Sequence, residues 1–467
     1  MGGNRSRASD VPENTTTIVA PATPAGEGAI AILRLSGPRA FPIGSTLTGK
    51  RLPDQPPRTL TRCGVRNADG EEIDRGLVAC FHAPASFTGE DLVEIHLHGS
   101  PVLVEQSVRA AVSLGAVPAA PGEFSRRAFL NGKIDLTQAE GLADLIASRT
   151  EAAAQAALRQ LRGGIADAVS PLRERMLSLL ASLEASIDFP EEEDIPPAER
   201  AQTLANIREL EAEVRGLLET YQRGRLLRDG ATVAIAGVAN VDKSSLLNRL
   251  LGEDRAIVTD TPGTTRDYLS GEISLSGIPV RLVDTAGLRE SEDPAEREGI
   301  RRSRRFVGES DLVLFLLDGS RPAHVADEEA YREVMGRPHL VLLNKRDLPA
   351  AETGERFSGP GLRGRIALSA KTGEGVGELL DGMVAELLPG AGDILAEAVL
   401  TRIRQVEAVS RAREDLRRAA EAVQAGLPEE CVVADLQEAS RAMAELTGEI
   451  APEEVLDRIF SSFCIGK

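Results

Sequence analysis

The most constraining feature of this chain is a strand, a glycine-led loop and a helix in immediate succession. Residues TVAIAG, ending at Gly237, are apolar and partly β-branched; Val-Ala-Asn240-Val241-Asp242-Lys243-Ser244-Ser245 follows, and LLNRLLG continues with helical texture. In this order the backbone N–H groups of the loop and of the helix N-terminus converge on one point, an arrangement that cradles phosphate. Lys243 supplies positive charge and Ser244 a hydroxyl suited to Mg²⁺. The pattern for such a loop is G-x-x-x-x-G-K-[ST], and its second glycine is here Asp242.

Four further elements follow in a fixed order. Thr265, within DTPGTTRD, stands where a threonine would complete the Mg²⁺ shell, and Asp284-Thr-Ala-Gly287 ends a strand where the γ-phosphate and the metal would be sensed. Asn344-Lys345-Arg346-Asp347 follows the apolar run HLVLL, and the Asp347 carboxylate can accept from N1–H and the 2-amino group of guanine, donors adenine lacks. Ser369-Ala370-Lys371 ends a further strand and closes on the base. The strand-like runs TVAIAGV, PVRLVDTAG, DLVLFLLDGS, HLVLLNK and RIALSAK alternate with helical ones, so residues 230–388 are expected to form a Ras-like P-loop nucleotide domain with a doubly wound, mostly parallel sheet.

At 467 residues, the chain is long enough for several cores. Short apolar runs broken by Gly and Pro (TTIVAPATPAGEGAIAILRLSG, GLVACFHA, DLVEIHLHG) give an α+β domain over residues 1–133. From Thr137 the texture turns to Ala, Leu, Glu and Arg, with Leu142, Leu145 and Ile146 on one face and Leu158 and Leu161 further on. The acidic, Pro-rich FPEEEDIPPAE, Phe189 to Glu199, reads as a solvated connection to a second helical stretch carrying Leu204, Ile207, Leu210, Val214 and Leu217. That texture returns over 389–467, so the nucleotide domain is expected to be inserted into a helical bundle domain whose halves, 134–229 and 389–467, pack together.

Lys plus Arg total 54 and Asp plus Glu 72, a net charge of 54 − 72 = −18, so no broad basic face draws in nucleic acid and any RNA contact must be a local patch. Aromatic residues make up 3% with no Trp, which removes the stacking platforms of many single-strand RNA binders. Cys63, Cys80, Cys431 and Cys464 lack zinc-site spacing and read as free thiols. Without a signal-like or membrane-length apolar run, the chain is expected to be soluble and cytoplasmic.

Where Ras-like GTPases place a Gln after the DTAG position, this chain has Leu288, so catalysis must be organised differently. The Asn240 carboxamide suits a monovalent cation near the β/γ bridge, with potassium the obvious candidate. Asn240, DTPGTTRD, DTAGLRE and the chain end FSSFCIGK together resemble the MnmE (TrmE) family of bacterial tRNA modification GTPases, among the TrmE-Era-EngA-YihA-Septin-like GTPases, over nearly the whole length. The resemblance implies a potassium site at Asn240, Thr264 and backbone carbonyls near Thr259 and Thr261, Mg²⁺ on Ser244 and Thr265, and a catalytic glutamate at Glu296. It further implies that the N-terminal domain binds a 5-formyltetrahydrofolate-type one-carbon carrier through Arg34, Glu94, Lys133 and Lys467. The resemblance also implies a homodimer that joins the FAD- and NADH-using partner MnmG in a heterotetramer and acts on C5 of the wobble uridine (U34) of certain tRNAs.

Several features stay open at this level. A carboxylate about 4 Å from a phosphate charge repels it by roughly 4 kcal/mol at an effective dielectric near 20, so Asp242 threatens a roughly thousandfold loss of affinity. Impaired GTP binding, a loop that turns the carboxylate away, or a single-residue change peculiar to this sequence are three readings of it; Ala239 for the usual Pro is a milder departure. His96 and His98 alternate on one strand without a third metal ligand, which favours a structural role. Cys464 is expected beside the folate pocket, reacting or packing there, and Arg301-Arg302-Ser303-Arg304-Arg305 reads as an RNA-facing, solvated or dimer-facing cluster. The rival functions are a ribosome-assembly GTPase and a folate and tRNA scaffold that Asp242 blinds to GTP.

Overall fold

In the computed structural model the described residues are 16–189, 199–252, 270–285, 304–351, 356–388 and 399–467. The chain divides into two compact units, one of residues up to 143 with 444–467, the other of residues 144–443.

The first unit is built on a six-stranded sheet of order β3-β4-β5-β2-β1-β6, comprising β1 (Ile18–Pro21), β2 (Gly28–Ser36), β3 (Thr61–Arg66), β4 (Glu72–Phe81), β5 (Leu92–Gly99) and β6 (Val117–Pro118). All pairings are antiparallel except β1 with β6. Helices α1 (Ala40–Thr48) and α2 (Pro101–Ser113) cover one face, where Leu33, Leu35, Ile43, Leu47, Val93 and Ile95 make the core. Full burial of each such side chain stabilises the fold by about 1.5–3 kcal/mol. A second cluster joins α3 (Glu123–Leu130) and α4 (Leu136–Ala147) to the last helix, Glu453–Phe460, through Leu136, Ala139, Leu456, Ile459 and Phe460. The chain end packs on the Leu136/Ala139 side of α4, while Leu142 and Leu145 are half-buried and Ile146 is exposed.

The second unit contains α5 (Glu151–Leu161), α6 (Gly164–Asp188), α7 (Arg200–Glu219) and α8 (Tyr221–Asp229). The acidic segment lies between α6 and α7, with 190–198 outside the described residues. Helix α7 buries Ile207, Leu210 and Val214, the stripe its sequence spacing predicts, and packs along the long helix Ile403–Ala425.

After α8 come β7 (Ala231–Ala236), α9 (Lys243–Gly252), β8 (Ser270–Leu275), β9 (Ile278–Asp284), β10 (Leu312–Asp318), α10 (Val325–Arg332), β11 (His339–Asn344), β12 (Leu362–Ala367) and α11 (Val376–Leu387). The sheet order is β12-β11-β10-β7-β9-β8. Only the edge pair β8–β9 is antiparallel. Every residue of β10 is buried, as an apolar run covered on both faces requires. The mostly parallel, doubly wound sheet expected from the alternating runs is therefore present, and the carboxyl ends of β7, β9, β10 and β11 point their loops to one end, where such sheets bind ligands.

Candidate functional site

The loop after β7 turns at three positions of positive φ, Gly237, Asn240 and Asp242, before α9 begins. Gly237 has φ +148°, and a Cβ there would lie 2.5 Å from the Leu316 carbonyl oxygen of β10, so only glycine fits. Asn240 (φ 65°) and Asp242 (φ 64°) take left-handed conformations, which Asn and Asp tolerate better than other side chains. The Leu246 N–H donates to the Asp242 carbonyl at 3.0 Å, so helix α9 still starts in register.

Lys243 is buried, and its ammonium donates to the Gly237 and Val238 carbonyls at 3.1 and 2.9 Å. Burial pushes its pKa below the ordinary lysine value, while the Asp284 charge opposes that shift. The Ser244 hydroxyl donates to Asp284 Oδ2 at 2.6 Å. Asp284 Oδ1 is buried and has no hydrogen-bond partner among the described residues. A buried carboxylate oxygen left over beside a serine hydroxyl is a donor set that fits a hard divalent cation with its waters, so Ser244 and Asp284 suit Mg²⁺.

Three motifs far apart in sequence meet at Asn344. Its Nδ2 donates to the Val241 carbonyl of the loop at 2.9 Å, and its Oδ1 accepts from the Ala370 N–H at 2.9 Å. Asp347 accepts from the Ser369 hydroxyl at 2.7 Å, and that bond holds its carboxyl below the usual aspartate range. Lys345, with φ 67°, reaches Asp318 Oδ2 at 2.9 Å and Asp242 Oδ2 at 3.7 Å. The hydrogen bond to Asp318 raises its pKa. Ser245 is exposed on the first turn of α9, and Lys371 is exposed after Ala370. Arg249, on α9, donates to the Ala370 and Lys371 carbonyls and so ties the helix to that loop. Asp318 and Arg249 were not singled out from the sequence; an acid ending the buried strand LVLFLLD was the available signal for the first, and none marks the second.

Thr259, Thr261, Thr264, Thr265, Gly287 and Glu296 lie outside the described residues, as do Arg301, Arg302 and Ser303. Of the rest of that basic cluster, Arg304 pairs with Glu333 at 2.9 Å and Arg305 with Glu309 at 2.8 Å.

In the first unit, Arg34 on β2 faces Glu94 on β5 in register. Its Nη2 and Nε donate to Glu94 Oε1 at 2.7 and 3.0 Å, and its guanidinium lies 5.7 Å from the Phe124 ring and 5.9 Å from that of Phe87. Arg34 Nη1 donates to the Gly466 carbonyl at 3.4 Å, which brings the chain end and Lys467 beside this pair. Lys133 donates to the Pro84 carbonyl at 3.0 Å, on the loop that also carries Phe87. Arg34 and Glu94 thus meet the chain end, and Lys133 is tied to the loop whose Phe87 ring lies beside the Arg34 guanidinium. Cys464 is exposed there, its carbonyl accepting from the Gly122 and Lys467 N–H groups. His98 pairs with Asp74 at 2.7 Å, and His96 Nε2 lies 3.8 Å from Glu94 Oε2. Among the described residues no group of three or more His, Cys, Asp or Glu could hold a metal ion, and no helix is long and apolar enough to cross a membrane.

Residues 17–133 match the family model described as the GTP-binding protein TrmE N-terminus, and residues 136–464 that of the MnmE helical domain. The chain belongs to the MnmE family. The tRNA modification GTPase MnmE of Aquifex aeolicus (strain VF5) is 42% identical over 454 residues, covering 96% of this chain and 99% of that protein. The MnmE of Symbiobacterium thermophilum is 43% identical over 458 residues, covering 97% and 99%. Among solved structures, Aquifex aeolicus Era bound to GDP.AlF4- aligns with 40% of this chain and 66% of its own at 26% identity, with a TM-score of 0.29.

Proposed function

We propose that this MnmE family member is a potassium-stimulated GTP hydrolase that acts with MnmG in modifying C5 of the tRNA wobble uridine (U34). The observation that carries the guanine-nucleotide part is the meeting at Asn344, where one buried carboxamide joins the phosphate loop, the NKRD turn and the SAK loop.

The chain's own groups divide the work. Lys243 leaves its loop carbonyls for the β- and γ-phosphates, and the loop amides complete the cradle. Ser244 and Asp284 hold Mg²⁺, with Thr265, and the metal supplies charge neutralisation across the phosphates when bound. Asp347 takes the two guanine N–H donors, and Ser369 fixes its orientation. Asn240, with Thr264 and carbonyls near Thr259 and Thr261, forms the potassium site, and Glu296 is the catalytic glutamate. Arg34, Glu94, Lys133 and Lys467 bind the 5-formyltetrahydrofolate-type carrier, with Cys464 packing beside it. A homodimer that joins MnmG in a heterotetramer, and tRNA as substrate, complete the reading, in the cytoplasm. The working layout has the nucleotide domain, 230–388, inserted between helical halves.

GTP turnover by the purified chain, measured in KCl and in NaCl with MnmG absent, tests this. Faster hydrolysis in KCl is expected; equal rates in the two salts remove the potassium site. A scaffold that does not bind GTP is the second reading, because Asp242 is present. Near-full-length similarity to proteins named tRNA modification GTPase weighs against the ribosome-assembly reading.

A further inference from the structure

The geometry points to Asp242 as a residue that sets guanine-nucleotide affinity and release through an ion pair with Lys345; we propose this clasp on the basis of the guanine-nucleotide reading above. Asp242 stands at a glycine position of the phosphate loop, where an unpaired carboxylate would face the incoming phosphates. Instead its Oδ2 lies 3.7 Å from Lys345 Nζ, on the turn that recognises the base. The backbone makes this reach possible: Asn344 holds the Val241 carbonyl at 2.9 Å, placing the residue after Val241 beside the residue after Asn344. Both partners adopt left-handed backbone, φ 64° and 67°, which turns their side chains out of the strand and helix they adjoin.

The compensation is partial. Lys345 also serves Asp318, at 2.9 Å, and Arg321, whose nearer partner is Asp327 at 2.8 Å, lies 3.9 Å from the same Asp318 oxygen, so Lys345 is shared and does not answer Asp242 alone. The Asp242 side chain is 47% exposed, so water screens what Lys345 does not. A nucleotide that draws Lys345 toward its base or ribose must share that cation with Asp242. The phosphate loop therefore accepts GTP, and the same contact weakens the grip on either nucleotide and speeds its release. Asp242 acts through Lys345 as a positioning residue.

A double-mutant cycle with fluorescent GTP and GDP analogues on the full chain tests the coupling. Asp242→Asn keeps a residue that tolerates left-handed backbone and removes only the charge. It is expected to tighten GTP binding about tenfold in the native background and about a hundredfold in Lys345→Gln, where the carboxylate has lost its cation, whereas Lys345→Arg restores the native-sized effect. Release of the GDP analogue slows in parallel. An Asp242→Asn effect of the same size in all three backgrounds overturns the clasp and leaves GTP binding standing. Binding by Asp242→Asn but not by the native chain also overturns it, since Lys345 then fails to compensate. Binding by none of the chains overturns the guanine-nucleotide reading itself, and the clasp with it.

Discussion

Ser369 donates a 2.7 Å hydrogen bond to Asp347 Oδ1, so the carboxylate proposed to read the base is oriented by a fully buried hydroxyl from a different loop. The pairing settles which exchange at Asp347 is informative. Asp347→Asn replaces an acceptor by a carboxamide whose N–H₂ repels the guanine donors but suits the C2 oxygen of xanthine. We expect GTP affinity to fall at least about a hundredfold and xanthosine triphosphate to become the better ligand, read by competition binding. Ser369→Ala should keep the guanine preference and lose about five- to tenfold in affinity, consistent with one lost hydrogen bond of about 1 kcal/mol.

Asn344→Ala removes two bonds at once and leaves the Val241 carbonyl and the Ala370 N–H without it. Asn344 is 1% exposed, so neither group regains a water easily. A loss of about 2–3 kcal/mol in unfolding free energy is expected, together with loss of GTP binding. Binding lost with unchanged stability would mean that Asn344 reads the nucleotide and does not hold the loops.

Much of the nucleotide unit was legible because its strands are buried on both faces, and such strands read as unbroken apolar runs: DLVLFLLDGS and HLVLLNK contain β10 and β11. Lys243, Asn344, Asp347 and Ser369 could be singled out because nucleotide-binding patterns tie residue types to fixed places after strands, and the structure places them at the carboxyl ends of β7, β11 and β12. The destination of the Asp242 carboxylate was not, since it depends on where Asn344 pins the loop, 103 residues away. Nor was the buried side of α4, which is decided by Leu456 and Phe460 from the other end of the chain. Periodicity shows that a helix has a stripe, and only the partner decides which stripe is covered.

Arg34 and Glu94 are both largely buried, with side chains 16% and 17% exposed. Removing one leaves the other's charge in a poorly solvated place. Glu94→Ala should therefore destabilise the first unit by about 1–3 kcal/mol. Arg34→Ala is expected to do the same and to abolish 5-formyltetrahydrofolate binding measured by calorimetry. If Glu94→Gln binds that carrier as tightly as the native chain, the charge on Glu94 serves Arg34 alone.

His339 gives the fold a pH dependence of definite sign. Its ring is fully buried; Nδ1–H donates to the Arg337 carbonyl at 2.8 Å and Nε2 accepts from the Tyr331 hydroxyl at 2.9 Å, which fixes the neutral tautomer. Burial holds its pKa below the ordinary histidine value of 6.5, and Arg363 and Arg365 push in the same direction, against the bond to Arg337. The unfolded chain therefore binds this proton at higher pH than the fold does. The contribution to stability is complete above pH 6.5 and is lost as pH falls below it toward the depressed folded value, by at most about 1.4 kcal/mol per pH unit. Urea unfolding of the native chain and of His339→Gln from pH 8 to pH 5 separates this proton from the carboxylates, which titrate in both. The two stability curves should run parallel above pH 6.5 and converge below it; parallel curves throughout would mean that His339 carries its proton into the fold.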